Sequence, residues 1–331
     1  MNMDRYSMTN KPQSKIIRYI VSAFRRYPTI PIILSLLVTF SLLAPYFLTG
    51  SNMKTIMATN AVIMIAAIGQ TMVLLTGGID LSISTVISAS AILSGIVMAA
   101  TGQIILGLLT AIGVGLTFGL INGMLVGYCG LTPFITTMGT QLVARGMAFV
   151  LSRGIAIKGT PRGMIDFGFG ELLGIPYVTM VSLILLVVSS IMVTQTTWGR
   201  KVILFGSNRI SAKYAGLNTK KIEMSVYVLS GVFAGIAGMI SIANLGNALP
   251  GVGDTILLMI IGGVVLGGTN MNGGEGSISR TILGVGLLAI MTNGLNMLGI
   301  PFYDQLIIQG ILIFVGNGLA MKFSSKSDLA L

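Results

Sequence analysis

Ten stretches of this chain are apolar over close to the length that crosses a lipid bilayer, with glycine, proline or charge between them. Roughly 20 helical residues traverse about 30 Å of hydrocarbon, and the absence of water there obliges each segment to satisfy its own backbone hydrogen bonds. The pattern predicts an all-α, polytopic integral membrane protein. The segments run Ile30 to Leu48, Ile56 to Leu75, Leu81 to Ala100, Ile104 to Val126, Leu131 to Leu151, Tyr177 to Gln195, Met224 to Leu245, Thr255 to Gly268, Ile278 to Leu298 and Leu306 to Met321. The eighth is short and glycine-rich, so it is open to interruption or to a re-entrant path. Counting it as a crossing gives about ten transmembrane helices and keeps Lys322 and Lys326 on the side that basic residues favour. Composition agrees: of 331 residues, 53% are hydrophobic and 9% charged, where a soluble domain carries about 25% charge.

The formal charge of +11 raises nucleic acid as a partner, but the placement of the basic residues argues for topology instead. They gather in the first 28 residues (Arg5, Lys11, Lys15, Arg18, Arg25, Arg26), in one loop (Arg200, Lys201, Arg209, Lys213, Lys220, Lys221) and at the end (Lys322, Lys326). Lys and Arg remain on the cytoplasmic side. Residues 1–28 are therefore expected as a cytoplasmic basic tail without a removable signal peptide, 29–322 as a single transmembrane domain, and 323–331 as a second cytoplasmic tail. Both termini then face the cytoplasm. The largest external loop is 153–176, and the largest internal loop is 197–223. Histidine is absent and Cys129 is the lone cysteine, which weighs against zinc sites, Ser-His-Asp chemistry, histidine proton relays and intrachain disulfides.

Two glycine-rich breaks fall between apolar segments: TGGIDLS at Thr76 to Ser82 and LGGTNMNGGEGSISRTIL at Leu266 to Leu283. A carboxylate at bilayer depth costs about 2.5 to 3.5 kcal/mol on insertion scales, so Asp80 needs compensation. Gly77 and Gly78 allow a sharp turn, and Asp80 is expected to cap a helix beginning at Leu81, where first-turn N–H groups are free. A direct ion or solute contact at Asp80 is the competing reading. Polar residues within spans, among them Asn60, Gln70, Asn122, Gln141, Asn244, Asn293 and Asn296, either line a solute path or join helices by hydrogen bonds. Arg145 likewise needs a partner or water, and helix pairing is favoured. No G-x-x-x-x-G-K-[ST] sequence occurs, so the chain carries no recognisable phosphate loop of its own.

The internal loop interleaves its basic residues with Val202, Ile203, Leu204, Phe205, Ile210, Ala212, Tyr214 and Leu217. A solvated loop has little use for so many apolar side chains, and a short amphipathic helix that docks on a partner fits better. Its expected extent is Arg209 to Tyr214, capped by Ser207 or Asn208 and ended at Gly216.

Taken together, GQTMVLLTGGIDLSIS, TPFITTMGTQLVARG, WGRKVILFGSNRISAKYAGLNTKKIE and VVLGGTNMNGGEGSISRTILG resemble the ribose-type permeases of bacterial ABC importers, in order and over nearly the whole chain. Ser84 stands where that family usually has glycine, and Trp198 where it has a smaller residue. The resemblance implies an importer permease fold in the bacterial inner membrane, carrying a monosaccharide from periplasm to cytoplasm. It implies two permeases forming a pore (as a homo- or heterodimer), lipid around them, a periplasmic sugar-binding protein, and a separate ATP-binding cassette ATPase that holds ATP and Mg. No cofactor and no catalytic residue is then expected in this chain. It further implies that the stretch around Arg200, Phe205, Gly206, Asn208, Arg209, Ala212, Tyr214, Gly216 and Leu217 couples to the ATPase. Phe205, Ile210, Tyr214 and Leu217 are the candidate anchors in the ATPase groove. Docking of the binding protein is expected at Arg153, Lys158, Arg162, Asp166 and Glu171. A sugar-like signal molecule or other small polar solute remains an alternative cargo; a self-contained secondary transporter is disfavoured by the scarcity of intramembrane acids.

Overall fold

A computed structural model describes residues 29–324; the basic tail at 1–28 and the end of the chain from 325 lie outside the described residues. The helices are α1 (Thr29–Leu43), α2 (Gly50–Leu75), α3 (Ile83–Thr101), α4 (Ile104–Gly127), α5 (Pro133–Ser152), α6 (Arg162–Phe169), α7 (Tyr177–Gln195), α8 (Thr197–Ser207), α9 (Arg209–Tyr214), α10 (Thr219–Leu245), α11 (Leu257–Leu266), α12 (Ile278–Met297) and α13 (Phe302–Ser324). Seven of them, α2, α3, α4, α5, α7, α10 and α12, are long and apolar enough to cross a membrane, while α1, α11 and the described part of α13 are shorter apolar helices. The all-α expectation needs one amendment. Loop 153–176 holds α6 and a two-stranded antiparallel hairpin, β1 (Glu171–Leu172) with β2 (Ile175–Pro176).

Helix boundaries follow local caps more closely than hydropathy. α2 begins at Gly50, well before the expected Ile56, because the Thr49 hydroxyl accepts from the Asn52 amide at 3.4 Å and starts a helix whose first turn is polar. α1 stops at Leu43, short of the expected Leu48, and the chain turns through 44–49. α10 starts at Thr219, where the Asn218 side chain accepts from the Lys221 amide at 3.1 Å.

The eighth apolar segment is helical over only the ten residues of α11, about 15 Å or half the hydrocarbon thickness. The preceding 247–256 stretch is irregular and deep. The Gly253 amide donates to the Ser88 hydroxyl at 2.9 Å, and a Cβ on Gly253 would strike the Ser84 carbonyl. Ser84 lies in the first turn of α3, which itself follows the deep connection 76–82. Each deep connection follows a long helix and precedes one that starts inside the bundle, and they enter from opposite ends. At one end Ile157 pairs with Ala248 and Lys54 with Glu171; at the other Gly206 meets Leu75 and Gly274.

The tightest packing joins α4 and α10, which run antiparallel. Ala111, Gly115, Gly119, Gly123 and Gly127 recur every fourth residue along α4 and face Gly235, Gly231, Tyr227, Met224 and Lys220 of α10. A Cβ on Gly119 would lie 2.6 Å from the Tyr227 carbonyl, and one on Gly123 or Gly127 would lie 2.8 Å from the Met224 or Lys220 carbonyl. Gly115 and Gly231 each block the carbonyl of the other. Small residues let two backbones approach until dispersion acts over the whole seam, which in lipid replaces the hydrophobic drive. Gly115→Leu should therefore force the seam apart and cost about 1–3 kcal/mol or more. Gly113→Leu, with no atom within 4 Å, should leave the apparent Tm in detergent unchanged. Equal melting of the two variants would refute the close contact.

Candidate functional site

Three segments distant in sequence meet backbone to backbone at one end of the bundle: Leu75–Gly78, Phe205–Ser207 and Asn272–Gly274. The Gly274 amide donates to the Leu75 carbonyl at 2.9 Å. A Cβ on Gly206 would overlap that same carbonyl, and one on Gly77 would lie 2.9 Å from the Asn272 carbonyl. Gly77 and Gly273 both hold positive φ (73° and 87°), the left-handed region that side chains resist. Both glycine-rich breaks thus form one seat, and the loop 197–218 rests on it.

That loop is two helices. The sequence reading covered only the second, α9, whose Asn208 cap accepts from the Ser211 amide at 2.9 Å and whose end is followed by Gly216 at φ 77°. α8 was missed, although Thr196 caps it by accepting from the Gly199 amide at 3.2 Å; T-x-x-G ahead of an apolar run was the available signal. Trp198 donates to the Ser225 hydroxyl at 2.9 Å and ties α8 to α10.

Arg209 holds the loop down. Its guanidinium lies 4.8 Å from the Phe205 ring centre, 2.8 Å from the Glu223 carboxylate, and donates to the Thr76 carbonyl at 3.3 Å. Glu223 is the lone acid of the 197–223 stretch, and that isolation among basic residues was the signal for an internal partner. Phe205 and Ala212 are buried, and Leu217 packs partly on the core. The expectation that Phe205 faces a partner is therefore corrected, since its ring serves this subunit's own packing, while Leu217 is half-buried. Ile210 and Tyr214 do face outward, Tyr214 being 88% exposed. Arg200 is exposed and points back to the Gln195 carbonyl at 3.5 Å.

Asp80 is enclosed. α3 begins at Ile83 rather than Leu81, and Ser82 occupies the cap position without a side-chain cap bond. Asp80 instead bridges the connection to α10: Oδ1 accepts from the Ser82 amide (3.0 Å) and hydroxyl (2.6 Å), and Oδ2 accepts from the Ser230 hydroxyl (2.8 Å). Asn122 of α4 donates to the Ser82 hydroxyl at 2.8 Å and accepts from Thr140 of α5 at 2.7 Å. Gly78 is held beside the Tyr227 hydroxyl, 2.6 Å from where its Cβ would be. The network satisfies a buried carboxylate while joining helices on three sides.

The other polar span residues do not converge. Asn60 bonds to Ile56 of its own helix, Asn244 ties α10 to the Ala58 carbonyl, Asn293 exchanges two bonds with Asn52, and Asn296 accepts from Gln305. Gln70 is fully buried with both amide atoms unpaired among the described residues. Gln141 is half-buried on α5. In loop 153–176, Arg153, Lys158, Arg162 and Asp166 are exposed, whereas Glu171 is engaged by Lys54 at 2.8 Å. Among the described residues no three His, Cys, Asp or Glu side chains gather as a metal site would require.

Asp80→Asn retains an acceptor for Ser82 and a donor for the Ser230 hydroxyl, and should assemble nearly as the native chain does. Asp80→Leu leaves the Ser82 amide and hydroxyl and the Ser230 hydroxyl without their acceptor and should cost about 1–3 kcal/mol per orphaned group, read as a lower apparent Tm. Equal stability of the two variants would show that the network does not bear on folding.

The family described as branched-chain amino acid transport system, permease component, matches residues 52–316. The D-allose transport system permease protein of Escherichia coli (strain K12) is 32% identical, covering 89% of this chain and 91% of its own length. The ribose import permease protein of Bacillus subtilis (strain 168) is 34% identical over 88% and 91% of the two chains, and the L-arabinose ABC transporter permease protein of Azospirillum brasilense is 31% identical over 85% and 84%. No solved structure matches the chain. By the extent of these matches, the chain belongs to the family of branched-chain amino acid transport system permease components.

Proposed function

We propose that this chain is the permease subunit of a ribose-type ABC importer that moves a monosaccharide across the bacterial inner membrane. The observation that carries the reading is its similarity, over nearly their whole lengths, to permeases named for ribose, allose and arabinose. The family's name refers to branched-chain amino acids, but these relatives carry sugars. The chain is a transport component and not an enzyme. ATP and Mg belong to a separate cassette ATPase, cargo arrives on a periplasmic binding protein, and a second permease completes the pore within lipid. Ten crossings follow if α1, α13 and the segment 247–266 span with the seven longer helices. Loop 197–223 and both termini then face the cytoplasm, and 153–176 faces the periplasm.

In this reading α8 and α9 receive the ATPase, with Ile210 and Tyr214 outward as its contacts. Arg209 passes the displacement inward to Thr76 and Glu223. The seat at Leu75, Gly206 and Gly274 moves as one unit because backbones touch there directly, so a tilt of α8 must carry with it the turn that leads to Asp80.

Reconstituted with its ATPase and binding protein in proteoliposomes, the permease should take up ribose, allose or arabinose only with ATP. Uptake driven by a proton gradient alone would reject the reading. Arg209→Ala should keep ATPase association but lower sugar carried per ATP by about tenfold, since it removes charge-assisted bonds worth about 1.5–3 kcal/mol. Tyr214→Ala should weaken ATPase co-purification instead. Normal coupling in Arg209→Ala would exclude the contact as the transmitting element.

A further inference from the structure

Arg145 lies in the middle of α5, a helix apolar enough to span, and its Nη2 is 2.9 Å from Asp254 Oδ2. Asp254 belongs to the deep irregular stretch, next to Gly253, which rests on Ser84 and Ser88. The pair is not enclosed by this chain: the Arg145 side chain is 55% exposed and that of Asp254 23%. Ion pairs at such depth do not face hydrocarbon, and irregular backbone survives there only when buried in protein or lining water. In transporters, interrupted helices put their broken ends where solute passes.

The surroundings have a definite chemistry. The Arg145 guanidinium lies 5.9 Å from the Phe149 ring centre, Gln141 stands one turn the other way on the same face of α5, and Thr255 is exposed beside Asp254. We propose that Gln141, Arg145, Phe149, Asp254 and Thr255 form a solute contact in the translocation path, suited to a neutral polyhydroxylated molecule such as a pentose or hexose. The aromatic face takes the C–H side of the sugar ring. The remaining guanidinium N–H groups donate to hydroxyl oxygens, while Asp254 and the Gln141 carbonyl accept from hydroxyls. Arg145 and Asp254 already neutralise one another, so a neutral solute binds without separating them. A zwitterionic amino acid would have to break the pair to use its charges. The contact deepens the monosaccharide reading and rests on it.

The test uses the complete complex with its ATPase and binding protein, with Cys129→Ser as background. Gln141→Cys should react with a water-soluble, charged methanethiosulfonate, and saturating ribose with its binding protein should slow that reaction. Leu109→Cys, on the exposed apolar side of α4, should react slowly with or without ribose. Arg145→Lys and Asp254→Asn should lower ribose carried per ATP by about tenfold, the cost of lost charge-assisted bonds, while stimulated ATP hydrolysis stays near the wild-type rate. No reaction at Gln141→Cys, or reaction indifferent to ribose, would overturn the proposal. So would unchanged ribose uptake per ATP in both charge variants. Wild-type protein that carries leucine and none of ribose, allose or arabinose would instead reject the monosaccharide reading itself, which separates the two failures.

Discussion

The backbone contact between α4 and α10 is the constraint on which the rest of the structure depends. Lipid gives helices no hydrophobic reason to associate, so their register must come from shape, and a glycine every fourth residue sets it here. Once α10 is fixed against α4, it in turn holds Arg209, Asp80, α3 and α2. Its second turn presents Glu223 to Arg209, its middle presents Ser230 to Asp80, Gly238 sits against the Ile87 carbonyl of α3, and Asn244 reaches α2. A shift of one residue along the seam would separate all four contacts together.

Against that rigid pair, the chain tolerates two breaks in its helices. Broken helices leave amides and carbonyls without intrahelical partners, and at depth those groups must be satisfied by protein. The 76–82 connection meets the demand with a chain of side chains from Thr140 through Asn122, Ser82 and Asp80 to Ser230. The 247–256 connection uses the Ser88 hydroxyl and the ion pair of Arg145 with Asp254. Both combine short backbone turns with side-chain bonds to other helices in place of a continuous helix ladder, and such elements can exchange partners without unwinding a span. The permease reading needs that property in whatever moves.

Much of this was legible in the sequence. The apolar segments, the two long loops at opposite ends, the glycine breaks and the small helix at Arg209–Tyr214 follow from hydropathy, capping residues and glycine placement, all of which act locally. What escaped was set by distant partners. Asp80 does accept from the Ser82 amide at the entry to α3, as a capping carboxylate would, but its other partner, Ser230, lies far along the chain. Phe205 looked like a partner's anchor because only the folded structure buries it in this chain's own core, beneath Arg209. Arg145 needed a counter-charge, but Asp254 could be chosen only from the fold, in which the eighth apolar segment is half irregular. The extra polar turn of α2 shows the reverse error, in which hydropathy delays to Ile56 a helix that the Thr49 cap starts at Gly50.

The central claim is that a stiff α4–α10 seam carries a movable seat formed by 76–78, 205–207 and 272–274. Amide hydrogen exchange on the assembled complex, compared between nucleotide-free and ATP-trapped states, reads both parts at once. The account expects exchange to change in residues 76–82, 197–218 and 268–277, with α4 and the facing stretch of α10 slow and the same in both states. Exchange that changes along the α4–α10 seam while the seat stays constant would contradict it.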